Sequence, residues 1–367
     1  MKYFKIKRPD YNLAIIVFAL VIFGLVMIFS ASSIISYEKF GKNDAYLIKQ
    51  LISLAIGFVA WVFFQSIDYH VFRKIAGWLL LFTFLLLILV FIPQINHEGR
   101  GVYRWINIGN FAFQPSELAK LTLILYLAAW FERIGKDIKS FFKSFLPFSL
   151  LMLVLSILLI KQPDLGTLTV LIGVSAIIYF LAGAATIYLV FGGISLFAIL
   201  AFLIKIAPYR MARITAFLNP ENDTLGIAYH VRNAIIAIGS GGLFGLGFGQ
   251  SRQKHLFLPE AHTDSIFAII CEELGFIRVL FLIAAFVYLA YRGYRIAKYA
   301  PDTFGRLVAS GITAWFIFQT FINIAGITGL LPFTGVPIPF ISYGGTSLVV
   351  SLAAVGILLN ISKYSSK

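Results

Sequence analysis

Apolar runs long enough to cross a lipid bilayer recur along this chain, and they limit its fold more than any other feature. The first of them, Leu13–Ile34, contains no charged residue. A transmembrane helix needs about 20 mostly apolar residues. Of the 367 residues, 60% are hydrophobic and 13% are charged, whereas a typical soluble domain carries about 25% charged residues. We therefore exclude a soluble fold and expect a chain that is surrounded largely by lipid.

The same length criterion predicts an all-α membrane protein with about ten transmembrane helices, organised as one polytopic domain over residues 1–367. Polar segments at about 95–115 and 208–263 interrupt the apolar pattern, and the second is a large loop between helices 7 and 8. Loops of this length in a compact protein usually carry function. The predicted spans are Leu13–Ile34, Ala45–Gln65, Ile75–Ile92, Ser116–Phe131, Leu146–Ile160, Gly166–Leu181, Ile187–Ile206, Ser265–Tyr288, Leu307–Gly326 and Ser347–Ile361.

Lysine and arginine predict the orientation of these helices. With an even number of spans both termini lie on one side, and that side is rich in basic residues, which favour the cytoplasm. We therefore expect a cytoplasmic (inner) membrane protein with cytoplasmic termini and with both long polar segments outside. The net charge of +14 is then explained by membrane anchoring, and no nucleic-acid partner is expected. The basic residues are Lys2, Lys5, Lys7, Arg8, Arg73, Lys74, Arg133, Lys136, Lys139, Lys143, Arg292, Arg295, Lys298, Arg306, Lys363 and Lys367.

Ionisable residues at the ends of membrane helices are costly and therefore suggest function. One such cluster starts the predicted fourth span, where Gln114 is followed by Ser116, Glu117 and Lys120. Ser116 can cap the helix. Glu117 and Lys120 share a helix face and can pair. The alternative is a local ion pair that only neutralises both charges.

Two further acidic clusters lie on the predicted outer side. Asp164, between the fifth and sixth spans, either caps the sixth helix or belongs to a site. Glu260, His262 and Asp264 alternate around Thr263, and such crowding shifts pKa values. A carboxylate here can remove a proton from a hydroxyl nucleophile, although Asp264 can equally be an N-cap. Too few good ligands are present for zinc, but a divalent cation such as Mg²⁺ or Mn²⁺ stays open.

Glycine and proline mark two irregular segments. Pro332–Ser347 contains three prolines and three glycines, which forbid a continuous helix and predict a re-entrant wall buried in protein. Gly239–Gln250 predicts either a flexible loop or a cradle for phosphate through backbone N–H groups, with Lys254 close behind.

Four of these runs resemble the signature regions of the SEDS family, named for shape, elongation, division and sporulation. They are FQPSELAK, KQPDLGT, LPEAHTDSIFAIICEELGF and GVPIPFISYGGTS, and the resemblance spans nearly the whole chain from Ser30 onward. The stretches GQSRQK and LLNISKY look more like the FtsW branch than the RodA branch. The chain departs from the family pattern at Ser265, Arg278 and Thr346.

The resemblance implies a peptidoglycan glycosyltransferase that polymerises lipid II, with undecaprenyl pyrophosphate as the leaving group. It places the essential carboxylate at Asp264 and assigns catalytic importance to Glu117 and Lys120. It also implies a cognate class B penicillin-binding transpeptidase and other divisome or elongasome components as partners. The expected substrate-binding residues are Arg104, Trp105, Gln114, Ser116, Asp164, Arg210, Lys254, Glu260, His262, Thr263, Ser342 and Tyr343.

A mechanism follows as a hypothesis. Asp264 acts as general base on the acceptor hydroxyl, and Lys120, Arg104 or Arg210 stabilise the leaving pyrophosphate. Inverting transfer needs one base, so a lone essential carboxylate is compatible with it. Two other readings compete: a flippase that moves lipid II across the membrane, and a non-catalytic scaffold for a transpeptidase.

Overall fold

The protein folds as a bundle of helices. The computed structural model describes residues 8–92, 103–108, 111–194, 211, 215, 217 and 227–365. The helices are α1 Tyr11–Phe40, α2 Ala45–Ser66, α3 His70–Leu89, α4 Pro115–Ile134, α5 Leu146–Lys161, α6 Leu165–Leu181, α7 at 186–194, α8 Ile227–Ser240, α9 Ile266–Lys298, α10 Thr303–Ile327 and α11 Gly345–Lys363.

Over the described residues, six helical stretches are long and apolar enough to cross a membrane. They are α1, α2, α3, α10, α11 and Phe141–Lys161, which contains α5; α6 is apolar but shorter. α4 and α9, of 20 and 33 residues, are not among these six stretches. The chain is thus a multi-pass membrane protein, whereas the count of ten crossings and the placement of the loops stay predictions. The predicted seventh span continues past 194, outside the described residues.

A small β-hairpin corrects the all-α prediction. Strand β1, Ile106–Ile108, pairs antiparallel with β2, Phe111–Phe113, so that Ile106 lies opposite Phe113. The sequence INIGNFAF alternates apolar and small or polar residues around Gly-Asn, a pattern that is typical of a two-residue hairpin connection. The predicted 95–115 loop therefore contains regular structure at its end.

Small residues let the inner helices approach closely, as is usual in membrane bundles. A Cβ on Gly356 of α11 would lie 2.5 Å from the carbonyl oxygen of Trp61 in α2. A Cβ on Gly311 of α10 would lie 2.7 Å from side-chain atoms of both Ile124 in α4 and Ile178 in α6. α4, α6 and α10 therefore form a tightly packed group, and this group carries the candidate site.

α9 is broken at Gly275, where φ is 76° and ψ is 172°. The break removes helical hydrogen bonds, and the glycine-rich segment replaces them. Four backbone hydrogen bonds cross the break: Leu246 N to Glu272 O at 2.9 Å, Gly247 N to Glu273 O at 3.0 Å, Phe276 N to Gly242 O at 2.9 Å and Ile277 N to Leu243 O at 3.2 Å. The N–H groups of Leu246 and Gly247 therefore bind carbonyls of α9 and do not serve as a phosphate cradle.

We predict that Gly275→Ala destabilises the protein by about 2–4 kcal/mol. The side chain would occupy a left-handed conformation and would collide with the backbone of Phe244 and Gly245. The melting temperature of the purified protein in detergent measures the effect. Gly77→Ala is the matched control, because nothing lies within 4 Å of its Cβ position. Equal melting temperatures for the two variants would contradict this account of the break.

Candidate active site

A buried ion pair joins α4 to α10. Glu117 and Lys120 are each only 2% exposed, and the Lys120 Nζ lies 2.8 Å from the Glu117 carboxylate, so the predicted pairing is confirmed. The same ammonium donates to Gln319 Oε1 at 2.9 Å and lies 5.0 Å from the centre of the Trp315 ring. The pair is therefore enclosed in protein and does not lie at the lip of an open cavity.

Two amides one turn apart on α10 hold the irregular segment at 328–344. Gln319 Nε2 donates to the carbonyl of Pro337 at 2.7 Å. Asn323 Nδ2 donates to the carbonyl of Val336 at 2.6 Å and to the main-chain carbonyl of Asp264 at 2.7 Å. Asn323 thus ties the irregular segment to the start of α9.

The irregular segment is buried in protein, as its prolines and glycines predict. Ile338 and Ile341 are at most 2% exposed. A Cβ on Gly24 of α1 would lie 2.8 Å from the Cα of Ile341, so α1 packs directly on this backbone. Its Gly335, with φ of 69°, lies against Asp264, because a Cβ there would be 2.8 Å from the Asp264 Oδ2. The segment therefore forms one wall beside the carboxylate.

Asp264 and Glu260 share the hydroxyl of Thr263. The Thr263 Oγ1 lies 3.0 Å from Asp264 Oδ1 and 2.9 Å from Glu260 Oε2. A threonine hydroxyl has one proton, so it donates to one carboxylate at a time. Thr263 and Asp264 are partly exposed, whereas the following residues of α9 are buried. The main chain of Asp264 is therefore fixed by the hydrogen bond from Asn323, while the residue stays partly exposed.

The residue that follows Asp264 ties this end of α9 to α8. Ser265 Oγ lies 2.8 Å from His230 Nε2 and donates to the carbonyl of Pro259 at 3.1 Å. Burial lowers the pKa of His230, so its imidazole is neutral at pH 7. Ser265, one of the departures from the family pattern, uses its hydroxyl for this local contact.

His262 lies in a group of aromatic side chains. Its ring centroid lies 4.4 Å from that of Tyr46 and 5.4 Å from that of Tyr343. Its carbonyl accepts a hydrogen bond from Tyr343 N at 2.9 Å. Burial lowers the pKa of His262 to about 4, against a smaller opposing effect of Glu260. The imidazole is therefore neutral at physiological pH.

Asp164 lies in a second cluster of polar side chains, next to the hairpin. Its Oδ1 accepts from Thr167 N at 3.2 Å, which confirms its role as the N-cap of α6. Its Oδ2 accepts from Ser116 Oγ at 2.9 Å and from Gln114 Nε2 at 3.3 Å. The prediction that Ser116 caps α4 is wrong: Gln114 is the N-cap and Pro115 occupies the first helical turn, so the Ser116 hydroxyl is free to bind Asp164.

Arg104 connects the segment before the hairpin to the turn between α5 and α6. Its guanidinium donates to the carbonyl of Gln162 at 3.1 Å and to the carbonyl of Pro163. Arg104 and Trp105 are both partly exposed. Arg210, the remaining predicted cation, lies outside the described residues.

Two predicted substrate-binding residues have internal partners instead. The Lys254 Nζ lies 2.9 Å from Glu273 Oε1, 2.6 Å from the Gly249 carbonyl and 3.2 Å from Ser30 Oγ. These three contacts use all three N–H groups of the Lys254 ammonium. Ser342 Oγ accepts from Ile338 N at 2.8 Å and stabilises the turn of the irregular segment. We therefore do not carry these two residues into the proposed mechanism.

Gln319 and Asn323 were not among the predicted site residues. The signal that could have found them is a pair of amides four residues apart in an otherwise apolar membrane helix, because buried polar groups there need partners. The His230 contact with Ser265 left no signal, because the partner residues are far apart in the chain.

No group of three or more His, Cys, Asp or Glu side chains that could hold a metal ion occurs within the described part of the chain. Glu260 and Asp264 are the carboxylates beside the Thr263 hydroxyl, and Mg²⁺ commonly completes such a set with waters and substrate phosphates. A divalent cation such as Mg²⁺ or Mn²⁺ therefore stays open, and we derive no catalytic step through one.

We predict that Lys120→Met lowers the free energy of unfolding by about 3–5 kcal/mol, because the Glu117 carboxylate stays buried without its partner. The double variant Glu117→Gln, Lys120→Met should recover most of this loss. Melting temperatures in detergent test both expectations. Lys143→Met is the control, since Lys143 and Asp137 form an exposed pair of little energetic value. A double variant no more stable than Lys120→Met would contradict the account.

The chain matches the family model of FtsW, RodA and SpoVE, described as cell cycle protein, over residues 11–367. It is 43% identical to stage V sporulation protein E of Bacillus subtilis over 97% of this chain and 98% of that protein. It is 42% identical to a probable peptidoglycan glycosyltransferase FtsW of Trichlorobacter lovleyi over 98% of this chain and 95% of that protein.

Solved structures agree with these relatives. One chain of a peptidoglycan synthase complex superposes with a TM-score of 0.78 at 28% identity, over 96% of this chain and 97% of that one. The rod shape determining protein RodA of Thermus thermophilus gives 0.71 at 28% identity, over 98% of both chains. The higher identity to FtsW and SpoVE agrees with the predicted FtsW-like branch. The chain therefore belongs to the FtsW, RodA and SpoVE family, the predicted SEDS family, and is a peptidoglycan glycosyltransferase of cell wall synthesis.

Proposed function

We propose that the chain polymerises lipid II into glycan strands on the extracytoplasmic face of the membrane, with Asp264 as the general base. The observation that carries this proposal is the arrangement of Asp264. Its main chain is held by Asn323, its carboxylate touches Thr263 and Gly335, and it is still partly exposed. A general base needs both a fixed position and access to its substrate.

The reaction needs one proton transfer and one displacement. Asp264 takes the proton from the 4-hydroxyl of the acceptor GlcNAc, and that oxygen attacks the anomeric carbon of the donor MurNAc. The bond to undecaprenyl pyrophosphate breaks, its electron pair leaves with the pyrophosphate, and the configuration inverts. The developing charge on the leaving group needs cationic stabilisation. Arg104 is a candidate, because its guanidinium donates to the turn carbonyls through two of its nitrogens and has further N–H groups.

Glu117 and Lys120 act in this proposal as positioning residues. Lys120 holds Gln319, Gln319 holds the carbonyl of Pro337, and the irregular segment places Gly335 against Asp264. Asp164, Ser116 and Gln114 hold the hairpin end beside α6 in the same way. Glu260, which shares the Thr263 hydroxyl with Asp264, lies beside the base and is the substrate-binding carboxylate of this proposal.

A class B penicillin-binding transpeptidase is the partner that we propose, within a divisome or elongasome assembly. The similarity to a chain of a peptidoglycan synthase complex that coordinates polymerization and crosslinking supports this choice. A polymerase that delivers strands to a crosslinking partner has its product and the partner's substrate on one face of the membrane.

The decisive experiment measures glycan strands made from lipid II by the purified protein with its transpeptidase. Asp264→Asn should reduce strand formation by at least about 100-fold, the lower range for general-base catalysis. Asp44→Asn is the matched control, because Asp44 lies near the same end of the bundle and its side chain makes no capping hydrogen bond. The control should polymerise like the wild type.

Three outcomes would overturn the proposal. Full activity of a folded Asp264→Asn would remove Asp264 from the chemistry. Absence of strands from the wild type, with transfer of lipid II across proteoliposomes that depends on Asp264, would favour a flippase. An equal amount of crosslinked product from the transpeptidase with the wild type and with Asp264→Asn would favour a scaffold.

A further inference from the structure

A basic cavity lies at the opposite end of the bundle from Asp264. Its volume is about 330 Å³, and it opens between the start of α1, the end of α9 and the end of α11. The residues that matter for its chemistry are Arg8, Asp10, Tyr11, Arg292, Arg295 and Tyr299. The proposed catalytic mechanism uses none of them.

α1 separates this cavity from the candidate active site. The helix starts at the cavity with Tyr11 and ends at Phe40, whose ring lies 5.6 Å from Tyr46 next to His262. Its 30 residues span about 45 Å at 1.5 Å per residue. The cavity is therefore on the other face of the protein, the face that carries the described chain ends.

The cavity carries an excess of positive charge. Arg292 forms a close ion pair with Asp10, with 2.6 Å between Arg292 Nη2 and Asp10 Oδ2, so these two charges cancel. Within the described part of the chain, Arg8 and Arg295 have no carboxylate partner. Arg295 only lies over the ring of Tyr291, at 5.8 Å. Two arginine charges thus remain beside one concave surface.

Aromatic residues place this cavity at the depth of lipid headgroups. Tyr288, Tyr291 and Tyr294 on the last turns of α9 are 39%, 51% and 60% exposed. Exposed tyrosines of this kind mark the interface between hydrocarbon and water. Arginine has a planar set of donors that matches phosphate oxygens, and Tyr11 and Tyr299 add hydroxyl groups in the same lining.

We propose that this cavity binds a phosphate group, supplied by the headgroup of an anionic phospholipid in the leaflet on this face or by soluble phosphate. Arg8 and Arg295 contribute the charge, and the Arg292–Asp10 pair fixes the wall between α1 and α9. A bound phosphate would link the start of α1 to the ends of α9 and α11. The site is independent of the polymerase proposal, because it shares no residue with the Asp264 group.

The test titrates the purified full chain with phosphatidylglycerol, phosphatidylcholine or inorganic phosphate and follows the melting temperature. A ligand that binds only the folded state raises that temperature. Phosphatidylglycerol should act at lower concentration than phosphatidylcholine. The variant Arg8→Gln, Arg295→Gln should need about fivefold more phosphatidylglycerol for each arginine removed. Lys136→Gln, Lys139→Gln removes two exposed charges from the same face outside the cavity and should behave like the wild type.

The arms of the experiment separate the two sources. An arginine-dependent rise with phosphatidylglycerol alone assigns the cavity to a lipid headgroup. An equal arginine-dependent rise with inorganic phosphate assigns it to a soluble phosphate. An equal response of the wild type and the arginine variant to every ligand overturns the proposal. Unchanged melting temperature of the variant without ligand shows that a lost response is not a folding defect.

Discussion

A backbone segment that is not helical needs partners for its carbonyl and amide groups when it lies inside a membrane protein. Residues 328–344 are such a segment, and α10 supplies the partners through Gln319 and Asn323. Lys120 and Glu117 in turn fix Gln319. The position of Asp264 depends on this arrangement, because Asn323 binds the main chain of Asp264 as well as the irregular segment.

The same constraint explains the glycine-rich segment. The break of α9 at Gly275 leaves main-chain groups of Glu272 and Glu273 without helical partners, and Leu246 and Gly247 supply N–H groups to them. Arg278, another departure from the family pattern, donates to the carbonyl of Phe244 at 2.8 Å and adds to this contact. Both irregular regions are therefore stabilised by specific pairing with a helix and not by lipid.

Local features were predictable from the sequence. The apolar runs located most helices, and the Glu117–Lys120 pair and the Asp164 cap follow from short spacings. Helix ends were less predictable: α9 continues to Lys298, beyond the predicted end at Tyr288, because its cationic last turns extend past the apolar stretch. The partners of Lys254 and Asn323 could not be predicted, because they depend on how distant helices pack. The hairpin was missed because its strands are only three residues each.

The central claim is that α10 positions Asp264 through Asn323. The most direct test compares lipid II polymerisation by Asn323→Leu with that by Thr320→Val, whose hydroxyl bonds only to Phe316 of its own helix among the described residues. If the account is right, Asn323→Leu lowers kcat by at least about tenfold, since it removes two hydrogen bonds of about 1 kcal/mol or more each. Thr320→Val should retain activity. Wild-type kcat in a folded Asn323→Leu protein would contradict the claim.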